Sequence, residues 1–195
     1  MSYRYFYDTE FLENGSTIEL ISIGIVGEDG EAYYAVNFDA PWERIYQSKW
    51  LMDNVWPHLP VKGYTTQLSS VGAAATRVLM KDRGHLDTTD TRVRPAWVIA
   101  NEVREFLRDG GDDIELWADY AAYDHVALMQ LWGPMIRRPK HVPMFTHDIQ
   151  QAARMLDIAD QLPEQDGAEH HALADAQHVK TCYDVIASIV NGPDA

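Results

Sequence analysis

Two acidic residues set two positions apart, Asp8 and Glu10, interrupt an otherwise apolar and aromatic opening segment, YRYFYDTEF. Side chains alternate along a strand, so both carboxylates leave the same face, beside Phe6 and opposite Tyr5 and Tyr7. Two buried anions side by side repel each other and lose hydration, so either their pKa values rise or a cation neutralises them. Arg4 is the one basic residue of that run, and a metal ion is the better neutraliser if more carboxylates converge there.

Further carboxylates lie far downstream. ELWADYAAYDHVAL reads as a short strand, Ile114 to Ala118, then a turn and a helix beginning around Asp124. EHHALADAQHVKTCYDVIASIV reads as a helix with Leu173, Val179, Tyr183, Ile186 and Val190 as its apolar positions and Asp175 in its first two turns. On one helix His170 and Asp175 would point about 140° apart, which puts His170 on the preceding loop. Oxygen ligands without a Cys or His cluster suit Mg²⁺ or Mn²⁺ rather than zinc. Two such ions about 3.5–4 Å apart support an in-line displacement at phosphorus, the hydrolysis of a phosphodiester. A histidine, with an ordinary pKa of about 6.5, suits removal of a proton from the attacking water.

The set D-x-E (Asp8, Glu10), A-A-Y-D (Asp124) and H-x-A-L-x-D (His170, Asp175) resembles the three motifs of the DEDDh exonucleases, in that family's order. YFYDTEF, TIELISIGIV, AYDHVALMQLWGPM and HxALxDA are similar, over most of the chain, to the adenylate-preferring exoribonuclease AS family of mycobacteria. The stretch from Val61 to Val93 carries the resemblance least. The resemblance implies a ribonuclease H-like α/β fold, a homodimer, and release of mononucleotides from single-stranded RNA 3′ ends with two Mg²⁺ ions, Mn²⁺ substituting. It implies that Asp8 bridges the two ions, that Glu10 and Asp175 complete the first site, that Asp124 holds the second, and that His170 is the base. It also implies that Phe11 and Leu12 wedge against the terminal base. Discrimination of RNA needs contact with the 2′-OH, expected from backbone groups near Thr9 and Glu10.

Each of these residues has a plainer reading. Asp124 before HVALMQL is a natural helix cap, and Phe11 is equally suited to core packing. Asp119 rivals Asp124 as the third carboxylate, but reads as a solvated turn residue, and His171 rivals His170. His125, next to Asp124, is placed to touch a phosphate or to sit exposed on the first helical turn. Rival activities are a DNA 3′ exonuclease, an oligoribonuclease, or a silent nucleotide-binding scaffold.

With 16 basic against 30 acidic residues the net charge is −14, which argues against tight binding along long duplexes. An enzyme that holds only a 3′ end needs few phosphate contacts, and its binding is weak and salt-sensitive. Arg77 to Arg83, Arg92 with Arg94, and Arg137 to His141 are local basic clusters that could guide the strand or simply be solvated. At 195 residues and 46% hydrophobic, the chain reads as a single domain over 1–195, which the resemblance makes an exonuclease domain. The lone Cys182 excludes an intrachain disulfide, and no leader or membrane-spanning run is visible, so a cytoplasmic location is expected, in a host cell if the source is viral.

The elements that must carry these residues follow from turn signals. Strand one ends near Phe11, ENGS turns, Ile18 to Val26 forms strand two, EDGE turns, and Ala32 to Phe38 forms strand three, an antiparallel meander. Pro41 opens a helical stretch through Val55, Pro95 one through Leu107, and His147 to Leu156 another. Parallel strands then join the meander in a mixed sheet flanked by helices, with strand one central. Between Val61 and Val93, Leu68, Val71, Val78 and Leu79 allow a short amphipathic helix in a surface excursion. Trp42, Trp50 and Trp56 suit an interface or a core.

Overall fold

Strand β1 (Tyr3–Glu13) sorts its side chains by parity. Tyr5 and Tyr7 enter one core with Ile99, Val103 and Leu107, whereas Phe6 enters another with Ile149, Val179 and Ile186. In this computed structural model, which describes residues 2–63, 83–167 and 169–192, β1 runs two residues beyond Phe11. It pairs antiparallel with β2 (Ile18–Gly27), which pairs antiparallel with β3 (Ala32–Asn37). The β1–β2 register skips Ile21 of β2 between the Glu10–Ser22 and Phe11–Leu20 pairs, a bulge at the level of the acidic pair.

After β3 come two short helices, α1 (Trp42–Ile45) and α2 (Lys49–Asn54), where one helical stretch is expected. Ser48 separates them by capping α2, its hydroxyl accepting from the Leu51 amide. Val61–Lys62 (β4) pairs with His85–Leu86 (β5) as a small separate ladder, and Val93–Arg94 (β6) joins β3 in parallel. The helix expected around Leu68, Val71, Val78 and Leu79 lies outside the described residues.

Helix α3 (Ala96–Asp109) buries Ile99, Val103 and Leu107 against the sheet. Then follow β7 (Ile114–Ala118), α4 (Ala122–Gln130), β8 (His147–Asp148), α5 (Ile149–Met155) and α6 (Ala172–Asn191). The helix expected from His147 begins only at Ile149, because the Asp148 side chain caps it by accepting from the Gln151 amide. Helix α6 presents a narrow stripe of Ala172, Ala176, Val179, Cys182 and Ile186; Val190, expected on that stripe, is exposed beyond the core that Ile186 closes.

The main sheet has the order β6-β3-β2-β1-β7-β8, with β7 parallel to β1 and β8 parallel to β7. An antiparallel meander continued by parallel strands, flanked by helices, is the ribonuclease H-like architecture expected. Trp56 is fully buried with Ile45, Leu51 and Val93, and Trp42 packs on it edge-to-face, so these two serve a core. Among the described residues no helix is long and apolar enough to cross a membrane.

Candidate active site

Parallel pairing of β1 with β7 runs from Tyr3–Ile114 to Phe6–Trp117 and stops there. Beyond that point Asp8, Thr9 and Glu10 line a cleft of about 450 Å³ that also receives Asp124, His170 and Asp175. Asp124 and Asp175 both sit in the first turns of their helices, where the helix dipole favours an anion.

Asp8, Gly24 and Tyr34 form one row across β1, β2 and β3. The first turn of α6 lies on the middle of that row, so close that a β-carbon on Gly24 would stand 2.4 Å from the Ala172 carbonyl and the Leu173 Cα. That seat brings the Asp175 carboxylate to the acidic pair: one oxygen from each of Asp8, Glu10 and Asp175 lies within 4.8 Å of the others. Gln165 Nε2 donates to Asp175 Oδ1 at 2.6 Å and steadies it from the loop before α6.

Asp124 is held differently. Its Oδ1 accepts both the Thr9 amide at 2.9 Å and the Thr9 hydroxyl at 2.6 Å. It therefore does not cap α4, whose first residues receive no side-chain cap; it faces inward to β1. Of the backbone groups near Thr9 and Glu10 expected to meet a ribose, the Thr9 amide is thus taken by Asp124. Beside it Phe11 lines the cleft with Leu12 and stacks on Tyr123, rings 5.8 Å apart and 10° from parallel.

The electrostatics are those of acids crowded together out of water. Burial pushes Asp8 well above the usual carboxylate range, and Asp124, Glu10 and Asp175 push it further. Burial, with Asp175 and Asp124, pushes Glu10 up to about 8. Burial raises Asp124 to about 6 against the lowering effect of the two Thr9 hydrogen bonds. Asp175 is raised by burial, with Gln165 opposing. None of the four has a Lys or Arg partner among the described residues. Clustered carboxylate oxygens without sulfur or a basic partner fit a hard divalent cation.

His170 lies just ahead of α6 in left-handed backbone, φ +66°, and lines the same cleft. Its ring meets Trp50 edge-on, centroids 4.8 Å apart. His171 is turned the other way: its Nδ1 accepts the Ala174 amide at 3.3 Å as the N-cap of α6, and its ring lies on Tyr34 at 4.6 Å. Burial lowers the His171 pKa, which favours the neutral ring whose Nδ1 can accept.

The remaining candidates lie outside the acidic cluster. His125 is half-buried, Nε2 against the Met144 carbonyl at 3.1 Å, and is not among the residues lining the cleft. Asp119, expected to be solvated, has one oxygen buried without a partner among the described residues, and burial raises its pKa. Arg92 is paired with Asp90 and Arg94 with Glu102, so neither is a free cation. Three participants escaped the sequence: Gln165, the Thr9 hydroxyl, and Trp50, which is 54% exposed and lines the cleft with Ser48 and Leu51. No local pattern marks any of them.

The Rv2179c-like 3′-5′ exoribonuclease domain matches residues 65–187. The chain is 42% identical over 175 residues to the 3′-5′ exoribonuclease Rv2179c of Mycobacterium tuberculosis strain H37Rv, covering 89% of this chain and 87% of that protein. The 3′-5′ exoribonuclease MT2234.1 of strain CDC 1551 has the same identity and coverage. Among solved structures, S. pombe Pop2p in its Mg²⁺- and Mn²⁺-bound form has a TM-score of 0.48 at 15% identity, over 99% of this chain and 86% of that one.

Proposed function

We propose, from the premise that this chain belongs to the Rv2179c-like family of 3′-5′ exoribonucleases, that Asp8, Glu10, Asp124 and Asp175 hold two Mg²⁺ or Mn²⁺ ions and that His170 is the general base. The chain is a 3′-5′ exoribonuclease, a phosphodiester hydrolase acting on RNA. The observation that carries the assignment of residues is the approach of Asp8, Glu10 and Asp175 within 4.8 Å beside a cleft-lining histidine. Bound there, the ions would activate water and stabilise the leaving oxygen of an in-line displacement.

The chain's own groups account for the rest. Asp8, on which Asp124, Glu10 and Asp175 all act, would serve both ions, with Glu10 and Asp175 on the first and Asp124 on the second. The Thr9 hydrogen bonds fix Asp124 for that task. His170, whose ring meets Trp50 edge-on, would take the proton of the water at an imidazole nitrogen. Phe11 and Leu12 meet the terminal base on one side of the cleft, and stacking contributes about 1–3 kcal/mol per base without choosing a sequence.

The same reading extends to the substrate and assembly: single-stranded 3′ ends with adenylate preferred, and a homodimer in the cytoplasm. Oligoadenylate, mixed RNA and single-stranded DNA, labelled at either end and incubated with and without Mg²⁺, test it. Metal-dependent stepwise loss of mononucleotides from the 3′ end, fastest on oligoadenylate, is expected; equal rates on DNA would remove the RNA preference, and equal rates on mixed RNA the adenylate preference. Light scattering reads the dimer, and a monomer would leave the chemistry in place.

A further inference from the structure

We infer that His171 is a positioning residue, whose imidazole caps α6 and is clamped on Tyr34 so as to set both neighbours that do the chemistry, His170 before it and Asp175 after it. The inference rests on the proposed roles of those two neighbours.

N-cap positions favour Ser, Thr, Asp and Asn, whose short side chains reach the second or third amide of the helix. Here an imidazole does that work, Nδ1 accepting the Ala174 amide at 3.3 Å, while the His171 carbonyl accepts the Asp175 amide at 3.0 Å. A carboxylate cap would add another anion beside Asp8, Glu10 and Asp175, and a hydroxyl would have no face to rest on a neighbour. The imidazole supplies a neutral acceptor and such a face: it lies 22° from parallel on Tyr34. Tyr34 is the register partner of Gly24, the residue on which the Ala172 and Leu173 backbone is seated. Cap, clamp and seat thus act on one turn, and β3 reports its position to the catalytic face through His171. The left-handed backbone at His170 depends on the same anchor, since the chain must turn sharply to enter a helix whose first residue is already fixed.

Three variants separate cap from clamp. His171→Phe keeps a ring on Tyr34 and has no acceptor; His171→Asn keeps an acceptor and has no ring; Tyr34→Leu removes the clamp, keeps the cap and leaves an apolar side chain against the core that Tyr34 touches. The readouts are kcat and KM for mononucleotide release from labelled oligoadenylate, Mn²⁺ binding by calorimetry, and the melting temperature. For His171→Phe, kcat falls roughly tenfold or more with KM within about threefold, and Mn²⁺ binds more weakly, as expected when a reacting group shifts by a fraction of an ångström. His171→Asn restores the cap but not the clamp, so its kcat loss is the smaller one of about threefold to tenfold, as for Tyr34→Leu. If His171→Phe does not fold, Tyr34→Leu carries the test with a kcat loss of about threefold to tenfold in a folded protein. Wild-type kcat in folded His171→Phe or Tyr34→Leu, or losses in His171→Asn as large as in His171→Phe, overturns the inference. Absence of mononucleotide release by the wild type would instead sink the proposed function, and Mn²⁺ binding by the variants would still read the role of His171.

Discussion

Gly24 and Ala172 touch backbone to backbone: the glycine of β2 sits where any β-carbon would lie 2.4 Å from the Ala172 carbonyl. The contact sets the height of α6 above β1 and so the distance from Asp175 to Asp8.

Gly24→Ala tests that contact. Overpacking of this kind costs about 1–3 kcal/mol, and the collision is with backbone, which has nowhere to rotate. A lowered melting temperature is expected together with a rate loss of about a hundredfold, since misplacement by about 1 Å suffices for that. Wild-type turnover in a folded Gly24→Ala protein would show that α6 can lift without consequence.

Removing the base and removing a ligand have different signatures. His170→Ala retains Mn²⁺ binding by calorimetry while turnover falls by about 10²–10⁴, the usual contribution of a general base. Asp8→Ala loses both. Near-wild-type rates in either variant with Mg²⁺ present contradict the assignment.

Stability of the metal-free protein falls as pH rises. Glu10 moves from an ordinary 4.5 to about 8 on folding, and Asp124 from 3.8 to about 6, in each case by burial first. Both acids hold protons more tightly when folded, so the folded state is favoured below the unfolded pKa values and loses that advantage as pH climbs to about 8. With chelator present, the melting temperature at pH 8.5 is expected below that at pH 5.5. Saturating Mg²⁺ narrows or reverses the difference, because it binds the ionised, folded form. A chelated protein whose melting point rises across this range would contradict the burial of these acids.

Thr9→Val deletes one of the two donors on Asp124 Oδ1 at nearly constant volume. A hydrogen bond to a charged group is worth about 1.5–3 kcal/mol, so kcat is expected to fall roughly tenfold and the melting temperature to drop. Thr9→Ser, which keeps the hydroxyl, restores both; equal behaviour of the two variants would make the contact incidental.

The alternation of Asp8 and Glu10 and the spacing of His170 from Asp175 were legible in the sequence because they follow from strand and helix periodicity alone. The site's supports were not. That Thr9 would hold Asp124, that Gln165 would reach Asp175, and that Gly24 would seat α6 are facts about residues far apart in the chain, and no local period encodes them. Helix boundaries slipped for a local reason: Ser48 and Asp148 were available as caps inside stretches whose apolar pattern ran on without a break. Val190 was expected to be buried because helical periodicity continues past the point where the opposing core ends.

Helix α6 is the last element of the described chain to be synthesised, and it brings Asp175 to a pair of carboxylates laid down in the first strand. With the roles proposed above, a nascent polypeptide that already has Asp8, Glu10 and Asp124 still lacks a complete first cation site. With those roles, the acidic cleft is whole only once α6 has docked on the sheet.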